Sequence, residues 1–304
     1  MHEHIARVLY YLEVHILYAS IVCVTCWFLT SIRGVSATMK YWIWAVTTIN
    51  FLFPLGAIID KLFSWRLFWA TPLGYLGVVG AAISESFTLT GGICIVWLAG
   101  ATFMFFRLGV RLRMERLNTK PIDHENVFQG IPVEFVPSCH APAVNGVLHP
   151  HISLPDGIES LLSERELDAV LIHELTHARR RDNLMRLIYE VSLCILWFHP
   201  LVWLTGSRLA LYRELSCDES VIRNAQGGDL VSALAKLTNP KEAFLMQATV
   251  SSFLQHRIPL LADAQPQRKS RTLSMLLVAI FTVVLIACIF ATVSHTACCF
   301  FARK

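Results

Sequence analysis

Two histidines and a glutamate in the middle of the chain are spaced so that they could act together on one metal ion. His173, Glu174 and His177 form a single H-E-x-x-H motif. On a helix, residues four apart lie on the same face, so both imidazoles can point at one ion. Zn²⁺ accepts neutral imidazole within a tetrahedral set of ligands, and a glutamate beside the first histidine could take a proton from an attacking water. The motif therefore predicts part of a site for one Zn²⁺ per chain, with Glu174 as its catalytic base.

The residues before the motif predict the helix that it requires. Ser163 and Glu166 have the spacing of a capping box, in which each side chain satisfies a backbone N–H at the start of a helix. Apolar Leu167 and Val170 then lead into His173 at helical intervals. We therefore expect one helix from about residue 163 through the motif.

A third ligand is predicted downstream, at Glu214. Glu214 and Asp218 are four apart on what we expect to be another helix. A glutamate would complete a His₂Glu set and leave the fourth position for water, while Asp218 could hydrogen-bond the free nitrogen of a ligating histidine. Cys217 is a rival ligand that we rank lower, because one helical residue turns its side chain about 100° away from Asp218.

Composition indicates an integral membrane protein. Of the 304 residues, 55% are hydrophobic and only 16% are charged, against about 25% charged in soluble domains. The formal charge of +4 is too small to argue for direct binding of nucleic acid. The nine cysteines lie mostly in apolar runs, where cysteine behaves as a small hydrophobe, so they do not indicate a disulfide framework.

Four apolar runs are long enough to cross a bilayer, at about 9–30, 41–59, 91–108 and from 273 onward. The positive-inside rule places the basic residues beside these runs in the cytoplasm. Residues 60–90 then form an external or re-entrant segment, because a further crossing would move the arginines of 107–116 outside. The predicted division is a membrane region at 1–118, a cytoplasmic domain at 119–272, and a last span with a short external tail at 273–304, with both termini outside.

The zinc prediction imposes a condition on residues 188–204. This apolar run separates the histidines from Glu214, and a crossing here would put them on opposite sides of the membrane. The part from Val191 to Leu204 has 14 residues and contains His199-Pro200, so it is too short to span. We therefore predict a membrane-apposed helical hairpin that turns back at His199-Pro200.

The start of the cytoplasmic domain has the pattern of short strands. Asn145-Gly146 between apolar pairs predicts a type I′ hairpin turn. The following strand could offer an edge on which a substrate peptide lies, for which the candidates are Val147, His151 and Ile152. The predicted fold class is a mainly α membrane protein with four transmembrane helices, a cytoplasmic α+β gluzincin-like zinc protease domain between the third and fourth, and the non-spanning hairpin.

The chain resembles the membrane zinc peptidases of the beta-lactam sensor-transducer class, the BlaR and MecR proteins. An ordered set of segments with matching spacing covers most of the chain and carries the resemblance: Pro142-Ala143-Val144-Asn145-Gly146, Pro150-His151-Ile152-Ser153-Leu154-Pro155, Leu162 to Leu167, His173 to Asn183, Phe198 to Trp203, Glu214 to Glu219, and Arg257-Ile258. The resemblance implies that His173, His177 and Glu214 bind zinc and that Glu174 is the catalytic base.

The resemblance also implies a setting. We expect a multi-pass protein of the bacterial inner membrane that cleaves a cytoplasmic protein, such as a transcriptional repressor, or itself, and that could form a homodimer. Beta-lactam sensors of the family carry a penicillin-binding domain after the fourth span, for which residues 292–304 leave no room, so antibiotic sensing is not expected. The alternatives are a non-catalytic transducer with a structural zinc site and, less favoured, a Ste24/HtpX-like protease.

Overall fold

The computed structural model describes residues 2–32, 34–53, 87–118, 126–137, 141–224, 226–237 and 271–301. Four long helices belong to the apolar parts of the chain: α1 (His2–Ser31), α2 (Ala37–Leu52), α3 (Phe87–Asn118) and α9 (Arg271–Phe301). Between α3 and α9 lie the strands β1 (Val127–Phe128), β2 (Ile131–Val136), β3 (Ala143–Asn145) and β4 (His151–Pro155). They are followed by the helices α4 (Ile158–Leu161), α5 (Glu164–Arg180), α6 (Asp182–Ile195), α7 (Pro200–Arg223) and α8 (Gly227–Leu237).

Three stretches of the described residues are long and apolar enough to cross a membrane: Leu12–Ser31, Gly91–Glu115 and Thr272–Ile289. They are parts of α1, α3 and α9. The second predicted span overlaps α2, which has 16 residues here, and its continuation beyond residue 53 lies outside the described residues, as does nearly all of 60–90. The four-span arrangement and the place of segment 60–90 therefore stay predictions.

Two apolar cores meet along helix α7. The first core joins α1, α2, α6, α7 and α9, and the second joins the sheet to α4, α5, α7 and α8. Helix α7 contributes Val202 and Leu209 to the first core and Val221 to the second, all at most 5% exposed. The residues between them on α7 therefore lie where the membrane helices and the sheet-bearing part of the chain come together.

Helices α6 and α7 form the turn that the zinc prediction requires. Helix α6 ends at Ile195, Pro200 starts α7, and the two pack against each other, with Gly206 so close to Tyr189 that a Cβ there would collide with its ring. Helix α3 holds the turn from one side, since the Trp97 indole donates to the carbonyl of Ile195 over 2.8 Å. The chain thus reverses direction after α6, and α7 returns to lie alongside α5.

The sheet has the order β1-β2-β4-β3, with β2 and β4 parallel and the other pairs antiparallel. The predicted type I′ turn at Asn145-Gly146 is wrong. Such a turn needs positive φ at both central residues, but Gln129 and Arg181 are the only non-glycine residues with positive φ in the described chain. Residues 146–150 instead bend between β3 and β4, with Gly146 at φ 81°.

The predicted substrate edge is also misplaced. His151 and Ile152 lie in β4, which pairs with β2 on one side and β3 on the other and is almost fully buried. Val147 lies in the bend that precedes it. An open edge at these residues would have required β4 to lack one of its two neighbours. The outer strand on this side is β3.

Helix α5 begins with the predicted capping box. The Ser163 hydroxyl accepts from the N–H of Glu166, and the Glu166 carboxylate accepts from the N–H of Ser163 over 2.7 Å. Glu166 is buried and also accepts from Ser232 and from Lys236 on α8. The cap therefore fixes both the start of α5 and the position of α8.

We expect Ser163→Ala to lower the free energy of unfolding of this helical unit by about 1 kcal/mol, the usual cost of losing a side-chain cap. Thermal unfolding of the purified protein in detergent would measure it. Ser160→Ala is the control, because the exposed Ser160 hydroxyl donates to the carbonyl of Gly157, outside α5. Equal unfolding temperatures for the two variants would contradict the prediction.

Candidate metal centre

The histidines of the H-E-x-x-H motif lie one above the other on α5. Their Nε2 atoms are 3.2 Å apart, and His173 is 6% exposed. This spacing follows from the helix, which returns to the same face after about four residues. The two nitrogens therefore face one point.

Glu214 reaches the same point from α7. Its Oε2 atom is 3.6 Å from Nε2 of His173 and 3.8 Å from Nε2 of His177. Ligands at 2.0–2.2 Å from a tetrahedral zinc ion are about 3.4 Å apart. The three distances among these donors lie close to that value, so the donor set fits a zinc ion in both chemistry and spacing.

A carboxylate lies next to the other ring nitrogen of each histidine. Nδ1 of His173 lies 3.2 Å from Asp218, and Nδ1 of His177 lies 2.6 Å from Asp182. When Nδ1 carries the proton and donates it to a carboxylate, Nε2 keeps its lone pair for a metal. The bond to Asp182 thus holds His177 in the form that a metal requires, and Asp218 lies at ion-pair distance from His173.

Sequence reasoning assigned the Asp218 position but gave Asp182 no role. Arg181 ends α5 in the left-handed conformation, at φ 56°, so that Asp182 starts α6 and turns back towards His177. An aspartate five residues after a histidine does not share its helical face, and only this change of direction brings the two together. The run of basic residues before Asp182 was the one available signal of a helix end.

The ionisation of the metal-free site follows from these pairs. Burial alone would lower the pKa of His173, but its interactions with Asp218 and Glu214 outweigh burial and raise that pKa to about 9. Burial would raise the pKa of Glu214, and the two histidines hold it well below its usual value instead. A metal ion must therefore displace protons from the site, so its affinity rises with pH.

Cys217 lies closer to the histidines than we expected. Its Sγ atom and one ring nitrogen of each of His173 and His177 lie within 4.8 Å of one another, and the residue is fully buried. The sequence argument compared the direction of the Cys217 side chain with that of Asp218. Cys217 is, however, three residues after Glu214, and residues three apart on a helix lie on the same surface. One oxygen of Glu214 lies 3.6 and 3.8 Å from the two Nε2 atoms, while Sγ of Cys217 interacts with His177 and accepts a hydrogen bond from Arg180, so both side chains are candidates for the third ligand.

A cavity of about 420 Å³ opens beside the metal-site residues. Glu174 lines it next to His173, as do Arg186 and Arg213. Tyr212 and His199 do not line it: the Tyr212 hydroxyl donates to the carbonyl of Thr30, and His199 lies beside Ser20 at the far end of the α6–α7 hairpin.

Strand β3 and helix α8 form the opposite wall of the cavity. The lining comes from five elements and the segment before β3, and its members are Ala141, Pro142, Ala143, Val144, Val170, His173, Glu174, His177, Asp182, Asn183, Arg186, Arg213, Glu214, Leu230, Leu234 and Leu237. The volume lies within the usual range for ligand sites. One wall carries the ionisable groups and the other is largely apolar.

Comparison with known proteins gives this arrangement a family. The sequence profile of the BlaR1 peptidase M56 family matches residues 10–261. The regulatory protein BlaR1 of Bacillus licheniformis is 24% identical over 195 residues, which are 57% of this chain and 32% of that protein. The methicillin resistance protein mecR1 of Staphylococcus aureus is 21% identical over 154 residues, or 46% of this chain and 26% of that protein.

The matched stretch thus spans about a third or less of these curated relatives. The profile match nonetheless extends over most of the chain, from α1 through the metal-site residues of α5 and α7. It confirms the resemblance deduced from the sequence motifs. The chain is mostly helical, with three candidate membrane spans and a peptidase domain. It belongs to the BlaR1 peptidase M56 family.

Proposed function

We propose that the chain is a membrane-embedded zinc endopeptidase of the gluzincin type, which cleaves a cytoplasmic protein or itself in a signalling pathway. The observation that carries this proposal is the set of three donor distances among His173, His177 and Glu214, of 3.2–3.8 Å, beside a cavity that Glu174 also lines. Membership of a peptidase family supports the reaction class.

In this mechanism His173, His177 and Glu214 hold the zinc ion. When bound, zinc polarises the scissile carbonyl and lowers the pKa of water towards neutrality. Glu174 accepts the proton of the attacking water and passes it to the leaving amine. Asp218 and Asp182 keep the two imidazoles in the orientation that the ion requires. Arg213, which lines the cavity beside Glu214, is the candidate for stabilising the negative charge that develops on the carbonyl oxygen.

Strand β3 is the edge on which we place the substrate backbone. The Val144 carbonyl accepts from the Asn183 side chain, outside the sheet. In an antiparallel pair both backbone groups of a residue point to the same side, so the N–H of Val144 also faces away from β4. It lies in the cavity wall, where an extended peptide could accept its hydrogen.

We expect Val144→Pro to reduce kcat/KM for a peptide about threefold to tenfold, through KM, because it removes one backbone donor. Val144→Ala is the matched control, since it shortens the side chain but keeps the N–H. Zinc content should be the same in both variants. Equal KM values for the proline and alanine variants would show that this donor does not hold the substrate.

The basic residues support a cytoplasmic position for the site. Lys40 lies over the ring of Tyr212 on α7, and Arg111 of α3 pairs with Glu190 of α6. Lys40 directly precedes Tyr41, whose hydroxyl donates to Asp182, and Arg111 lies one helical turn before Glu115, which pairs with the cavity-lining Arg186. Since basic residues beside spans favour the cytoplasm, substrates would approach from that side, in a bacterial cell membrane. A transcriptional repressor is the first substrate to test, because one relative carries the name regulatory protein.

One observation favours a second candidate function, a signal transducer with a structural zinc site. If Cys217 were a fourth ligand, the site would have no position left for water, as in structural zinc sites. Its nearness to both histidines makes this a specific alternative. The Ste24/HtpX-like alternative has no comparable observation in its favour.

The proposal is tested with the full chain reconstituted in lipid vesicles, using cytoplasmic extract and the protein itself as substrates. We expect cleavage that stops when a chelator removes zinc and returns when zinc is restored. Stoichiometric zinc without any cleavage of either substrate would favour the structural-site alternative.

A further inference from the structure

Helix α2 contacts the carboxylate that orients one of the metal-site histidines. The Tyr41 hydroxyl donates to Oδ1 of Asp182 over 2.8 Å, and Oδ2 of the same carboxylate is 2.6 Å from Nδ1 of His177. Tyr41 is 1% exposed and Asp182 is 3% exposed, so solvent does not compete for these bonds. One buried carboxylate therefore links a helix of the membrane region to the metal site.

Arg180 makes a second link between Tyr41 and the same carboxylate. Its Nε and Nη2 atoms each donate to Asp182 over 2.6 Å, and its guanidinium lies 3.9 Å from the centre of the Tyr41 ring. A planar guanidinium can bind a carboxylate with two parallel bonds while it stacks on an aromatic face. Tyr41 thus contacts the Arg180–Asp182 ion pair twice, Asp182 through its hydroxyl and Arg180 through its ring.

Glu219 joins the first turn of α2 to α7, the helix that carries Glu214 and Asp218. Its carboxylate accepts from the N–H groups of Ala37 and Thr38 over 3.1 and 3.2 Å, and from the Thr38 hydroxyl over 3.1 Å. These N–H groups belong to the first turn of α2, which lacks partners within the helix and favours a negative charge. Tyr41 follows one turn later, so the Glu219 contact holds the part of α2 that leads directly into Tyr41.

We propose that Tyr41 is a positioning residue of the metal site and that Glu219 sets the position of α2 from which it acts. A displacement of α2 by about 1 Å would take the Tyr41–Asp182 hydrogen bond out of its normal range. The metal site would then respond to movements of the membrane region. This inference rests on the proposed role of His177 as a zinc ligand.

The first test measures zinc affinity of the purified full chain by competition with a chromogenic chelator, without substrate. Tyr41→Phe keeps the ring on Arg180 and removes only the hydroxyl. We expect it to weaken zinc binding on the order of fivefold, below the 10–100-fold typical for a direct partner of a ligand. Tyr189→Phe is the matched control, because Tyr189 lines a neighbouring cavity with Tyr41 and Asp182, but the Asp182 carboxylate takes its hydrogen bonds from Tyr41, His177 and Arg180; it should leave the affinity unchanged.

The second test separates positioning from a general loss of stability. In an Asp182→Ala background, which lacks both carboxylate oxygens, Tyr41→Phe should have no further effect on zinc affinity, because the hydroxyl acts through that carboxylate. Glu219→Gln should weaken zinc binding in the natural sequence and have less effect once Tyr41 is phenylalanine. Additive effects in either pair, or an unchanged affinity in Tyr41→Phe, would overturn the inference.

The readout distinguishes this inference from the proposed function. If zinc binds and the variants follow the expected pattern while no protein is cleaved, the positioning role stands and the peptidase proposal fails. If cleavage occurs but Tyr41→Phe binds zinc as the natural chain does, the peptidase proposal stands and the inference fails. A natural chain that binds no zinc would overturn both.

Discussion

Glu174→Gln should slow peptide cleavage by about two to four orders of magnitude while the protein still binds zinc. Glutamine has nearly the same shape but cannot accept the proton of the attacking water, and loss of a general base costs about 10²–10⁴-fold in rate. Glu174 is 9% exposed and follows His173 directly, so it faces the cavity beside the metal donors without being one of them. We therefore expect kcat to fall by that factor with little change in KM or in zinc content.

The matched control is Glu164→Gln, a glutamate in the first turn of the same helix that is exposed to solvent. It changes the charge of α5 equally but lies away from the cavity. Cleavage of a fluorogenic peptide and zinc content would be measured on both variants. If Glu174→Gln cleaved the peptide as fast as Glu164→Gln, Glu174 would not be the base.

Glu214→Ala should cause the largest loss of zinc affinity among the single substitutions outside α5. It removes the oxygen that lies 3.6 and 3.8 Å from the two imidazole nitrogens. Loss of a ligand should exceed the 10–100-fold effect of losing an orienting partner, so we expect the affinity to fall by more than about a hundredfold. Cleavage should disappear with the bound zinc and should return in part at high zinc concentration.

Cys217→Ser is the comparison that decides between the two candidate ligands. Serine keeps the size and hydrogen-bonding ability of the side chain but lacks the thiolate that zinc prefers. We expect less than about a threefold change in affinity if Glu214 is the third ligand. A large loss of zinc in Cys217→Ser, with retention in Glu214→Ala, would exchange their roles. A large loss in both would indicate a closed site with four protein ligands, as in the structural alternative.

Much of the metal centre could be predicted because its parts are local in sequence. The four-residue spacing of His173 and His177, and again of Glu214 and Asp218, is the repeat of a helix, which depends on the backbone alone. The capping box likewise involves residues only three apart. The turn between α6 and α7 was predictable for a different reason, since proline at position 200 starts a helix but cannot lie inside one.

The errors arose where several segments must pack together. Asn145-Gly146 has the residues of a tight turn, yet the connection to β4 takes five residues, and β4 pairs with β2 as well as with β3. The choice of the exposed strand edge depends on that pairing order. Local residue preferences contain no information about which strand becomes the outer one.

The sequence by itself determined which side chains could bind a metal, because helical periodicity puts them on shared faces. Only the tertiary structure decided which groups control those side chains. Asp182 meets His177 because the chain reverses at Arg181, and Tyr41 and Glu219 join α2 to the site across 141 and 182 residues of sequence. Contacts at such separations depend on how the helices pack against one another. No spacing rule within a single helix could have predicted them.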